Sequence, residues 1–117
     1  MITIIHNPHC SKSNCSLDYL QDLNYPVSVR NYITNPLTVD ELEDIIDKLG
    51  IQPEQLVRKN EQLYKQNFEG NNYSDEEWIS ILAENPVLIE RPIIIKDDKA
   101  IIGRPFEKVA AFMNEAK

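Results

Sequence analysis

The N-terminal run Met1-Ile2-Thr3-Ile4-Ile5-His6 gives way to Asn7-Pro8-His9-Cys10, and a helical pattern starts at once. No other feature limits the fold so narrowly. Residues 1–6 read as a buried strand, and residues 11–23 as a helix whose Leu17, Leu20 and Leu23 recur at near-helical spacing. A strand that feeds a helix opens a βαβ unit. Tyr25-Pro26 makes a turn, after which Val27-Ser28-Val29-Arg30 alternates as a second strand, parallel to the first through a right-handed crossover.

Asn35-Pro36 breaks this layer. Thr38 and Glu41 then form a capping box ahead of Leu42, Ile45, Ile46 and Leu49, with Gly50 as the stop, which predicts an amphipathic helix. Pro53 suits a first helical turn, and Leu56, Leu63 and Tyr64 fall in short helices before Gly70-Asn71-Asn72. Ser74 with Glu77 caps a further helix that places Trp78, Ile81 and Leu82 on one face and ends at Asn85-Pro86. Residues 38–85 are therefore expected to be a helical insertion. Ile93-Ile94-Ile95, the polar turn Lys96-Asp97-Asp98-Lys99 and Ala100-Ile101-Ile102 describe an antiparallel hairpin closed by Gly103. Pro105 opens a last helix with Phe106, Val109, Ala110 and Met113 on its apolar stripe. The order fits an α/β, thioredoxin-like fold: a four-stranded mixed sheet in one domain over 1–117, with the insertion between the βαβ unit and the C-terminal hairpin and helix.

Composition narrows the function classes. The length of 117 residues suits one domain. A formal charge of −7 repels a nucleic-acid backbone and supplies no basic face for a membrane. No apolar run approaches the roughly 20 residues of a membrane span, and the N-terminus lacks the basic flank and cleavage pattern of a signal peptide. A cytoplasmic address is expected. Two cysteines are too few for a disulfide framework and read as thiols.

Cys10 lies where open α/β sheets bind ligands, beyond the C-terminal end of a strand and at the start of a helix. Backbone N–H groups and the helix dipole favour an anion there, which can lower a cysteine pKa to roughly 3.5–7.5 and yield the nucleophilic thiolate. Lys12, His6 and His9 add donors and positive charge, and the Ser11 and Ser13 hydroxyls could donate to the sulfur or to a bound oxyanion. An inert thiol in an incidental turn would leave this agreement of position, dipole and neighbours without a cause. His6 is open to three roles: general acid, charge partner of the thiolate, or strand-end histidine satisfied by the backbone. Cys15 lies five residues on, roughly 140° around a helix from Cys10, and is expected to be a packed core thiol. Ser13 stands at the second position of C-x-x-C, so reduction must come from an outside thiol. His6, His9 and Cys10 are too crowded on one loop for the usual zinc spacings, and no metal is expected. An anionic substrate on an acidic chain needs local arginines; Arg58, Arg91 and Arg104 each lie near an element boundary and offer planar, paired donors.

Four separated motifs in order, His6-Asn7-Pro8-His9-Cys10 with Ser11-Lys12-Ser13, Leu56-Val57-Arg58-Lys59-Asn60, Asn85-Pro86-Val87-Leu88-Ile89-Glu90-Arg91-Pro92-Ile93 and Gly103-Arg104-Pro105, resemble the glutathione- and glutaredoxin-coupled arsenate reductase family. Ser11-Lys12-Ser13 stands where longer members carry Gly-Thr-Ser, which points to the shorter branch. The resemblance implies that Cys10 attacks arsenate to form a thiol-arsenate adduct, with Arg58, Arg91 and Arg104 holding the oxyanion and His6 assisting the thiolate. It implies no bound cofactor: glutathione, as co-substrate, yields a mixed disulfide on the arsenic-bearing sulfur, and glutaredoxin completes the reduction with release of arsenite. It also implies that Pro92 is the cis proline that thioredoxin-like folds hold beside the active cysteine. Two other readings share the fold. One is a non-catalytic transcriptional regulator that binds RNA polymerase, whose relatives usually carry C-x-x-C. The other is a general thiol-transferase, for which the arginines would be superfluous.

Overall fold

A computed structural model describes residues 2–24, 26–103 and 107–115. Its elements run β1 (Ile2–His6), α1 (Ser11–Asp22), β2 (Val27–Asn31), α2 (Val39–Leu49), a 3-10 turn (Pro53–Leu56), α3 (Gln62–Asn67), α4 (Asp75–Glu84), a second 3-10 turn (Pro86–Leu88), β3 (Ile93–Lys96), β4 (Lys99–Ile102) and α5 (Glu107–Glu115). The chain divides into two compact units, residues 1–35 with 91–117, and residues 36–90.

The first unit is built on one sheet of order β2-β1-β3-β4. β1 pairs parallel with β2 and antiparallel with β3, and β3 pairs antiparallel with β4, so the sheet is mixed and thioredoxin-like as expected. β1 is central, and Ile2, Ile4 and Ile5 are all buried, which accounts for an apolar run in place of an alternating one. β2 is an edge strand, and Val29 is 46% exposed despite the alternation in sequence. Ile2, Ile4, Leu20, Ile94, Val109, Phe112 and Met113 form the core against α1 and α5. Phe112 completes the α5 stripe, whereas the expected Pro105 and Phe106 lie outside the described residues. α1 stops at Asp22, so Leu23 is its C-cap and is exposed rather than part of the helical stripe. The hairpin is tighter than expected: Lys96 pairs with Lys99 in the ladder and only Asp97-Asp98 turns. Asp97 takes φ 56°, the left-handed value that a two-residue hairpin turn needs.

The second unit carries both capping boxes. The Thr38 hydroxyl accepts from the Glu41 N–H, and the Ser74 hydroxyl from the Glu77 N–H, while each glutamate accepts from its cap residue's own N–H. Gly50 closes α2 at φ 68°. Leu42, Ile45 and Ile46 of α2 are buried with Trp78 and Leu82 of α4, but the third buried α4 residue is Ile79, not Ile81, so the inward stripe is turned by one side chain. Tyr64 and Tyr73 pack on Trp78 with ring centroids 6.4 Å and 4.9 Å away. An element that helical patterns do not announce joins the middle of the unit to its C-terminal end: Val57 and Ile89 form an antiparallel bridge. It is clipped by the Arg58 N–H to the Leu88 carbonyl at 2.7 Å and the Glu90 N–H to the Leu56 carbonyl at 2.8 Å. Among the described residues no helix is long and apolar enough to cross a membrane.

Candidate active site

The loop between β1 and α1 is held by its two asparagines. The Asn7 side-chain oxygen accepts from the His9 N–H at 2.9 Å, and the Asn14 amide donates to the Pro8 carbonyl at 3.0 Å. The Cys10 N–H donates to the Asn7 carbonyl at 3.0 Å, and the Cys10 carbonyl receives the Asn14 N–H at 3.0 Å, the first bond of the helix. Cys10 is thus the N-cap of α1, in extended conformation at φ −106° and ψ 119°. A cap side chain faces the first free N–H groups of its helix.

That placement gives the sulfur its donors. Burial alone pushes the Cys10 thiol up, because it penalises the charged form. The Ser13 N–H, the Arg91 side chain, the Lys12 N–H and the Arg91 charge oppose it, and together bring the thiol down to about 7. Cys10 is 8% exposed, so these donors act with little competition from water. Arg91 enters from the residue before a cis Arg91-Pro92 bond. Its Nε and Nη1 are buried and have no hydrogen-bond partner among the described residues. The Pro92 carbonyl receives the Gly103 N–H at 2.7 Å. Gly103 is buried there, and a Cβ on it would lie 2.9 Å from the Pro92 ring.

His6 and Ser13 form a buried pair. Nδ1 of His6 and the Ser13 hydroxyl share a 2.6 Å hydrogen bond, and the same oxygen accepts the Asn7 N–H at 3.1 Å. The Ser13 hydroxyl is thus engaged by His6 and Asn7, and it is the Ser13 backbone N–H that bonds the Cys10 sulfur. The His6 pKa is lowered by burial, against an upward pull from Asp18, so the neutral imidazole is favoured at pH 7. The partner that satisfies this strand-end histidine is a side chain, not the backbone.

Ser11 and Lys12 are exposed and line a groove of about 540 Å³ together with Cys15, Asp18, Tyr19 and Glu107. Cys15 is exposed, which overturns the expectation of a core thiol. The inward face of α1 carries Ser13, Ser16 and Leu20, and Cys15 lies off that stripe. His9 is exposed as well. Arg58 belongs to the second unit, where Nη1 donates to Glu61 Oε2 at 3.1 Å and Nε lies 3.6 Å from Glu90 Oε1. Arg104 lies outside the described residues. Cys10, His6, Ser13, Lys12 and Arg91 are thus gathered in the first unit. Sequence reading missed Asn7, Asn14 and Gly103. Asn-Pro ahead of a helix is a turn signal that could have flagged Asn7, and the three-residue spacing could have flagged Glu61 at Arg58, but nothing local marks Glu90 there.

Comparison with known proteins identifies the family. The family model for the ArsC family matches residues 5–112. The chain belongs to the ArsC family. Among relatives of this ArsC-family chain, the arsenate reductase of Haemophilus influenzae is 41% identical over 110 residues, covering 92% of this chain and 95% of that one. The arsenate reductase of Neisseria meningitidis serogroup B is 35% identical over 114 residues, covering 96% and 97%. The solved arsenate reductase from Vibrio cholerae superposes with a TM-score of 0.88 at 36% identity, covering 94% of this chain and 95% of that one.

Proposed function

We propose that this ArsC-family chain reduces arsenate to arsenite, with Cys10 as nucleophile and with glutathione and glutaredoxin as the source of electrons. The observation that carries the reading is the Arg91 guanidinium, whose Nε and Nη1 are buried without a hydrogen-bond partner among the described residues, beside a thiol lowered to about 7. Buried unpaired donors are costly, and a tetrahedral oxyanion would satisfy them next to the nucleophile. The names of the relatives point to the same substrate.

In this reading the Cys10 thiolate attacks arsenic, an S–As bond forms, and one arsenate oxygen leaves as water after protonation. Arsenic keeps its oxidation state in that step. A glutathione thiolate then attacks the Cys10 sulfur: the S–S bond forms, the S–As bond breaks, and its electron pair stays on arsenic, which leaves as arsenite. Glutaredoxin reduces the mixed disulfide and returns Cys10 to the thiol. The N–H groups of Lys12 and Ser13 hold negative charge on the sulfur. Arg91, Arg58 and Arg104 are assigned to the oxyanion, and Ser11 and Lys12 to the rim of the site. Neutral His6, fixed by Ser13, assists the thiolate. No resident cofactor is called for, and a reducing compartment such as the cytoplasm suits both thiols.

Glutaredoxin-coupled NADPH oxidation with arsenate tests the reading. Cys10→Ser should abolish turnover, and Arg91→Ala should lower kcat/KM by about 10²–10³, the loss typical of one preorganised oxyanion donor. A Cys10→Ser variant that keeps its rate would sink the proposal. No turnover in the unaltered protein, with stable co-purification of RNA polymerase, would favour the regulator instead.

A further inference from the structure

One peptide group just ahead of Cys10, the plane joining Pro8 to His9, is held on both sides by side chains. Its N–H, that of His9, donates to Asn7 Oδ1 at 2.9 Å, and its carbonyl, that of Pro8, accepts from Asn14 Nδ2 at 3.0 Å. An N–H needs an oxygen and a carbonyl needs an N–H, so neither side-chain amide can turn over and keep its bond. The two asparagines come from either side of the thiol: Asn7 follows β1, and Asn14 is the fourth residue of α1. Both also hold the backbone of Cys10 itself. The Asn7 carbonyl accepts the Cys10 N–H and the Asn14 N–H donates to the Cys10 carbonyl, each at 3.0 Å. Peptide groups are rigid planes, and φ of His9 is one of the two axes about which this plane turns. A plane that rocks therefore shifts the Cys10 N–H. With it moves the extended N-cap conformation, φ −106° and ψ 119°, from which the sulfur meets the N–H groups of Lys12 and Ser13.

We propose that Asn7 and Asn14 are positioning residues that clamp the Pro8–His9 peptide from opposite sides and so fix the direction in which Cys10 enters α1. The inference rests on the reading of Cys10 as the nucleophile given above, and its test needs no turnover. The clamp has a consequence that two separate surface bonds would not have. Both side chains grip one plane, so loss of either frees that plane, and loss of the second adds little.

Alkylation of Cys10 by iodoacetamide as a function of pH reads the thiolate, in a Cys15→Ala background that removes the exposed second thiol. With the loop unaltered the rate should titrate at about 7. Asn14→Ala, at an exposed helical position that alanine suits, should raise that midpoint by about 0.5–1 unit. Asn7→Ala should raise it at least as far, and the double variant no further than the larger of the two. Asn7→Ser, whose hydroxyl accepts from the His9 N–H more weakly, should return part of the shift. Amide exchange at His9 gives an independent reading. Asn14→Ala touches only the carbonyl side of the plane, yet it should speed exchange of the His9 N–H about three- to tenfold. A midpoint left at about 7 in either alanine variant overturns the clamp and leaves the nucleophile standing. Shifts that add in the double variant, or His9 exchange unmoved by Asn14→Ala, overturn it as well, because the two side chains would then act apart. A midpoint near the ordinary thiol value of roughly 8.5 with the loop unaltered removes the activated nucleophile, and the inference with it.

Discussion

Ser13 and Cys15 show how little residue type says about a role. Both are small polar side chains on α1, two positions apart, yet Ser13 is fully buried and Cys15 is exposed. The Ser13 hydroxyl is the partner of two buried groups, Nδ1 of His6 and the Asn7 N–H. Ser13→Ala should therefore cost about 1–3 kcal/mol, the penalty for leaving buried polar groups unpaired. Cys15→Ala should change stability by no more than about 0.5 kcal/mol. Urea unfolding of the two variants under reducing conditions checks the contrast, and equal effects would mean that the Ser13 bonds add nothing. The setting of the Cys10 thiol was legible because its cues are local: a strand end, a helix start and free N–H groups within three residues. The Ser13 hydroxyl was not, since its partners depend on how β1 and α1 are set against each other.

Among elements, the helices with self-contained signals were read most exactly. Both capping boxes and the Gly50 stop appear where sequence places them, because each acts within a few residues. α1 is a weaker pattern for a physical reason: its inward face begins with Ser13 and Ser16, small residues that no hydrophobic period reveals. At the end of β4, Gly103 meets Pro92 so closely that an added Cβ would lie 2.9 Å from the Pro92 Cγ and 3.1 Å from a Val109 methyl. Neither neighbour is the far end of a flexible chain. Gly103→Ala should destabilise by about 1–3 kcal/mol through overpacking. It should also weaken sulfate binding, because the displaced ring belongs to the residue after Arg91. A urea midpoint and a sulfate affinity both unchanged would show that the strand end yields freely.

For the whole molecule, the lowered Cys10 pKa ties stability to pH. The folded thiol titrates at about 7, below the roughly 8.5 of an unfolded cysteine. Between those values the folded state has lost the proton and the unfolded state still holds it, so stability rises with pH across that window. The contribution is fully present above the unfolded pKa and is lost as pH falls through about 7. Urea unfolding of the reduced protein at pH 6.5 and 8.5 should show a stability difference over Cys10→Ser that grows with pH, and a constant difference would mean that the fold does not favour the thiolate. The order of strands and helices, the caps, the hairpin and the place of Cys10 between a strand end and a helix start were determined by the sequence alone, because each depends on spacing and turn residues close along the chain. Tertiary structure decided which side of α1 is buried, which bridge forms in the second unit, and which distant carboxylate meets Arg58. Those outcomes depend on partners brought from distant segments, as Glu90 is brought to Arg58 by the pairing of Val57 with Ile89.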